Sequence, residues 1–243
     1  MSLNPRYSRV VAVLLGAVLL PQARRTKRAI PRLPDAAQPW NGQVEGDDPV
    51  SILVLGDSTA AGVGADTQDD ALPGNLARAL SSEWERGVSW RAIGENGATT
   101  SDVVRRYLDE ASDQQYDIIF ISIGANDALK LRSARAFRRN FCTIVRTLRS
   151  VSPNALILVS CLPGFSQFVA LPNPLRWALH LHAQSLEAVA RQFVRSEPGV
   201  LMSPPAPTYT TDFFASDRFH PSATGYREWV EFALTGAGLV RGS

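Results

Sequence analysis

Five short apolar runs punctuate the chain after its first 46 residues, at 50–55, 88–93, 117–123, 155–160 and 199–202. Each has the length of a strand and favours β-branched or large apolar side chains. Between them, apolar positions recur at helical spacing over 72–86, 102–111, 134–151 and 175–196, and a last such segment covers 223–234. Parallel strands need crossover connections, and those connections cover both faces of a sheet. The alternation therefore predicts an α/β fold with a mostly parallel five-stranded sheet between two layers of helices. Residues 47–243 are enough for one domain with one good core. No internal repeat or low-complexity tract interrupts the order.

The first 46 residues follow a different pattern. Residues 10–20 (VVAVLLGAVLL) are an uncharged apolar run of 11, shorter than the ~20 a helix needs to cross a bilayer. A basic cluster, ARRTKR at 23–28, follows after Pro21 and Gln22. The leading reading is a membrane-surface anchor over residues 10–28, with the cations against anionic headgroups. It implies a membrane-associated or cell-envelope location. Two other readings stay open: an export signal, leaving a soluble exported form if residues 1–23 are removed, or an apolar helix docked on the domain itself. Pro21 stands where a signal cleavage site prefers a small residue. Residues 31–49 are rich in Pro, Gly and Asp and read as a linker. The division is thus 1–46, an anchor or signal-like segment plus linker, and 47–243, the domain.

Charge sharpens this division. Residues 1–46 carry seven Lys/Arg against Asp35 and Glu45, a net +5, while the remaining 18 basic and 21 acidic residues leave the body at −3. The overall net charge of +2 is therefore no argument for nucleic acid binding by the domain. Cys142 and Cys161 have neither C-x-x-C spacing nor a histidine pair, so a zinc site has no support. Both read as buried thiols, with a disulfide or a reactive thiol as the other reading.

In parallel α/β sheets ligands bind beyond the carboxyl ends of the strands. After the first run comes Gly56-Asp57-Ser58-Thr59, after the second Gly94-Glu95-Asn96-Gly97-Ala98-Thr99, and after the third Gly124-Ala125-Asn126-Asp127. The loop after the last run leads to Asp217-Arg218-Phe219-His220-Pro221. A serine attacks only when a base takes its proton, and that base needs an acceptor behind it. His180 and His182 fall inside a predicted helix and read as structural. His220 lies in a loop three residues after Asp217, where one tight turn brings carboxylate to imidazole. Ser58 follows a strand through Gly56, whose missing side chain allows a sharp turn. The candidates are Ser58 as nucleophile, His220 as base and Asp217 as its partner. For an oxyanion, the candidate donors are the Ser58 N–H, the Gly97 N–H and the Asn126 side-chain amide.

Together GDST at 56–59, Gly97 within ENGAT, GAND at 124–127 and DRFH at 217–220 resemble the four diagnostic blocks of the SGNH (GDSL-like) hydrolase superfamily, in order. The resemblance covers residues ~50 to 235. It implies a flavodoxin-like three-layer fold and acyl transfer by Ser58, Asp217 and His220, with Ser58, Gly97 and Asn126 as the oxyanion hole. It also implies no cofactor and no metal. The first block reads GDST where the family name has GDSL, which bears on substrate choice more than on chemistry. Asp57 and Asp127 read as supports.

The expected activity is esterase or lipase hydrolysis of lipid or acylated small molecules. Residues 162–177 (LPGFSQFVALPNPLRW) are unusually apolar for a loop, so Phe165, Phe168, Leu171 and Trp177, with Phe213 and Phe214, are candidate acyl-chain contacts; the other reading is that they close the core. A carbohydrate acetyl-esterase or an acyltransferase on the same scaffold is the nearer alternative, and a non-catalytic membrane-proximal binding module the more distant one. A nucleotide or flavin binder fits poorly. Gly62-Val63-Gly64 runs into the acidic ADTQDD, and neither a Walker lysine nor G-x-G-x-x-G is present.

Overall fold

The computed structural model describes residues 7–241. Two helices come first, α1 (Ser8–Leu14) and α2 (Gly16–Ala29), followed by strand β1 (Asn41–Val44). The body runs β2 (Val50–Gly56), α3 (Leu72–Trp84), β3 (Val88–Gly94), α4 (Thr100–Arg106), α5 (Leu108–Ala111), β4 (Ile118–Ser122) and α6 (Ala125–Leu129). It continues with α7 (Ala134–Val151), β5 (Leu156–Val159), α8 (Leu175–Val194), β6 (Val200–Met202) and α9 (Ala223–Gly236).

All five apolar runs form strands, β2 to β6, and these pair in parallel. The sheet nevertheless has six strands, not the five expected, in the order β1-β3-β2-β4-β5-β6. The extra strand pairs antiparallel with β3 at the edge, Asn41 opposite Arg91 and Val44 opposite Val88. It lies in the stretch that reads as linker by composition. Its sequence, NGQV, holds one apolar residue, because an edge strand half open to water needs ladder hydrogen bonds more than a hydrophobic face.

Strand residues alternate between the two faces. Leu53, Leu55, Ile119, Ile121, Ile157 and Val159 pack with Val103, Leu108, Phe137, Phe141 and Leu186 on the side of α4, α5, α7 and α8. Ile52, Val54, Phe120 and Leu158 pack with Leu72, Leu76, Tyr226 and Val230 on the side of α3 and α9. The three-layer arrangement follows from this two-sided burial. Helix 102–111 is broken at Tyr107, whose φ of −124° interrupts the helical run.

The chain leaves β2 for β3 on one side, then crosses to β4 on the other. The strand order therefore reverses at β2, and a crevice opens between the carboxyl ends of β2 and β4. Ser58 follows one of these strands and Asn126 the other.

Candidate active site

Gly56 ends β2 against β4, and a Cβ there would collide with the Ser122 carbonyl oxygen. Its absence lets Asp57 N–H donate to that oxygen at 3.1 Å, and the turn closes with Val63 N–H donating to Ser58 O at 2.9 Å. Ser58 is buried and borders a cavity at the crevice mouth.

His220 comes from the loop before α9. Its Nε2 lies 3.1 Å from Ser58 Oγ and its Nδ1 2.6 Å from Asp217 Oδ2. The local sequence makes this possible. Arg218 adopts φ +55°, and the other carboxylate oxygen, Oδ1, accepts from the N–H groups of Phe219 and His220 at 2.9 Å each. An ionised carboxylate only accepts, so Nδ1 carries the proton and Nε2 is left to accept from the Ser58 hydroxyl. Burial on its own pushes the Asp217 carboxyl up, but the hydrogen bonds from His220 and Phe219 outweigh it and hold the group below its ordinary value.

The loops after β3 and β4 are tied to this centre. Asn126 donates from Nδ2 to Asp57 Oδ2 at 3.3 Å, which fixes its amide beside the Ser58 turn and leaves the second Nδ2 proton free of that bond. Asp57 is fully buried and also accepts from Thr59 N–H and Oγ1. Burial pushes its carboxyl up to about 6, against the pull of Thr59 and His220. Gly97 has φ +87°, and a Cβ there would meet nothing within 4 Å, so its backbone stands at open space. The segment after it is anchored twice. Thr99 and Asp102 form a reciprocal cap on α4, and Thr100 donates to Asp127 through both N–H and Oγ1. Lys130 Nζ donates to Gly97 O at 2.9 Å.

An apolar cavity of about 100 Å³ opens beside Ser58 and His220. Of the apolar residues singled out from sequence, Phe165, Phe168 and Phe213 line it. Leu171 is buried in the core behind, and Phe214 supports the wall with its ring 5.1 Å from that of Phe168. Trp177 lies outside the cavity, 39% exposed on the first turn of α8. Tyr209, Phe219 and Ala206 also line it and are not among those candidates. The sequence signal for Tyr209 and Phe219 is the aromatic density of 209–219, and Ala206 has none. Gln167 locks the two cavity loops together, donating to Pro207 O at 2.8 Å and accepting from Tyr209 N–H at 2.9 Å.

Residues 54–228 match the GDSL-like Lipase/Acylhydrolase family. The chain is 28% identical over 241 residues to the GDSL-like esterase Rv1075c of Mycobacterium tuberculosis, a match covering 87% of this chain and 74% of the relative. Among solved structures it resembles the lipase Lip_vut3 from a goat rumen metagenome, with 19% identity and a TM-score of 0.61 over 80% of this chain and 100% of that one. It also resembles a Clostridium thermocellum family 3 carbohydrate esterase, with 16% identity and a TM-score of 0.58 over 78% and 95% of the two chains. These structural likenesses concern the fold. The family match spans most of the domain and includes the Ser58, Asn126 and Asp217-His220 segments, so the chain belongs to the GDSL-like lipase/acylhydrolase family and is a serine ester hydrolase.

Proposed function

We propose that the chain hydrolyses carboxylic esters with short acyl groups, of about two to four carbons, through an acyl-enzyme on Ser58, while held at a membrane or envelope surface by residues 10–28. The observation that carries this reading is the Asp217, His220 and Ser58 relay at the mouth of a cavity of about 100 Å³. A closed void of ~150 Å³ accepts a six-carbon ring, and by that measure the walled part of this open cavity suits about four carbons, with a longer chain having to run out of its mouth.

In this mechanism His220 Nε2 takes the Ser58 proton as Oγ attacks the ester carbonyl. The Ser58 N–H, the Gly97 N–H and the Asn126 Nδ2 donate to the oxyanion, each worth ~3 kcal/mol in the transition state. The imidazolium then protonates the departing alcohol, and water attacks the acyl-enzyme by the same route. Acetylated sugars fall within the same acyl range, and the carbohydrate esterase among the structural neighbours makes them a specific second substrate class.

The test is labelling by a fluorophosphonate beside Ser58→Ala, with p-nitrophenyl esters from acetate to dodecanoate and an acetylated xylo-oligosaccharide. Labelling of the wild type alone, with kcat/KM greatest for acetate to butyrate, is expected. A folded wild type that does not label, or turnover that rises towards dodecanoate, would overturn the reading.

A further inference from the structure

The two N-terminal helices bury the wrong stripe for an ordinary surface element. Ser8, Ala12, Leu19 and Thr26 are buried, and Leu15 and Ala23 pack against the core, at successive spacings of three and four residues. The docked stripe is thus made largely of small or polar side chains. The bulkier apolar residues Val10, Val13, Leu14, Val18 and Leu20 point away, and Val13 and Leu14 are each 78% exposed. A helix docked for its own sake would bury these instead.

The docking is specific all the same. Ser8 Oγ lies 2.9 Å from Nδ1 of the buried His182. Gln22 donates to Asn173 O at 2.8 Å and accepts from Leu175 N–H at 3.1 Å. The outward apolar row is therefore held fixed relative to the domain. Gln22 also joins it to the start of α8, beyond the loop whose Phe165 and Phe168 wall the acyl cavity.

The row ends in cations. Arg24, Lys27, Arg28 and Arg32 line a shallow open concavity with Ile30 and Pro31, and Arg25 is exposed beside it. Among the described residues none of these five makes an ion pair, and the first acidic residue of the chain is Asp35.

From this we infer that α1 and α2 form a lipid-docking face for anionic phospholipid, lying in the plane of the bilayer with Val10, Val13, Leu14, Val18 and Leu20 in the headgroup–acyl boundary and the Arg24–Arg32 concavity on lipid phosphates. Among the described residues no helix is long and apolar enough to cross a membrane, which agrees with in-plane seating. Charge decides the occupant. A second copy packed through the same patch would bring five more cations to a surface with no carboxylate to meet them, whereas an anionic leaflet rewards each cation with about fivefold in affinity.

This inference deepens the membrane-surface part of the proposed function. Its test is sedimentation of the full chain with vesicles of phosphatidylcholine alone and of phosphatidylcholine mixed equally with phosphatidylglycerol. Wild type, Val13→Ser/Leu14→Ser and Arg24→Gln/Lys27→Gln/Arg28→Gln are compared, with p-nitrophenyl butyrate hydrolysis measured in solution on each. The expected result is strong preference for the anionic vesicles, a loss of about a hundredfold in partitioning for the triple variant, a loss for the apolar variant on both vesicles, and unchanged hydrolysis. Equal binding to both vesicles, or a triple variant that binds like wild type, would overturn it. So would a dimer in solution that Val13→Ser/Leu14→Ser dissociates. Failed sedimentation with hydrolysis intact removes the lipid face alone, and failed hydrolysis with sedimentation intact removes the esterase reading alone.

Discussion

Asp127 accepts two hydrogen bonds from Thr100, one from the backbone N–H and one from Oγ1, each 2.8 Å long, and both residues are shielded from solvent. Thr100 opens α4 three residues after Gly97, and Asp127 follows Asn126 in α6. The pair therefore sets the distance between two of the proposed oxyanion donors, one on each side of the crevice. Asp127→Ala leaves a buried N–H and a buried hydroxyl without their acceptor, at a cost of ~1–3 kcal/mol in stability. Misplacing a donor by about 1 Å costs up to ~100-fold in rate, so kcat should fall by that order with KM nearly constant. Asp127→Asn keeps an acceptor oxygen and should recover part of the loss. A drop in KM and kcat together, or no kinetic change in a destabilised variant, would make the pair purely structural.

A second prediction concerns the tautomer of His220. Asp217→Asn preserves size and still accepts from Phe219 and His220 N–H through its oxygen, but turns an amide N–H towards Nδ1. The imidazole then presents its proton to Ser58 instead of its lone pair. The expected loss in kcat is ~10⁴-fold with the fold intact, read by steady-state kinetics and circular dichroism. A loss under tenfold would mean that Asp217 does not select the tautomer.

Asp57 sets a pH dependence of stability whose sign is opposite to that of a paired carboxylate. Burial raises its folded value from 3.8 to about 6. Between those values the folded protein holds a proton that the unfolded chain has released, so stability falls as pH rises through this window and levels off above it. The total is ~3 kcal/mol. Asp217, held low in the folded state, acts below this window and in the other direction, its contribution being lost as pH falls. Asp57→Asn removes the buried titration. Urea unfolding of both proteins from about pH 4 to about pH 7 should show the gap moving in the variant's favour by that amount. A constant gap would exclude a proton on Asp57.

The residues that meet at the crevice were largely legible because each follows a strand-length run or sits in a tight turn, and because His220 is the one histidine outside a helical segment. What local pattern could not show was how the loops hold one another. Asp57 and Asn126 are 69 residues apart, and Thr100 and Asp127 are 27 apart. Such pairs become neighbours only through the order of β3, β2 and β4. β1 escaped because an edge strand is recognised by its ladder with β3 and not by its side chains. Trp177 looked like a cavity residue by hydrophobicity alone, yet the first turn of α8 directs it outwards, while Ala206 and Tyr209 reach the cavity from a segment with no secondary structure to predict.

Ala206 gives the most direct test of acyl selection. Ala206 lines the cavity wall in a loop held by the Gln167 bonds to Pro207 and Tyr209. Leucine adds three carbons to a space that holds about four, which leaves room for an acetyl methyl and little else. Excluding two methylenes from apolar burial is worth ~0.8 kcal/mol each, or about 15-fold in kcat/KM. Ala206→Leu should therefore cut p-nitrophenyl butyrate turnover by at least that factor while leaving acetate within about threefold, a residual that allows for mild overpacking. If both esters lose activity alike, the substitution has disturbed the relay and not the acyl site. If neither changes, the acyl group of the substrate does not enter this cavity, and the short-chain preference argued from its volume fails.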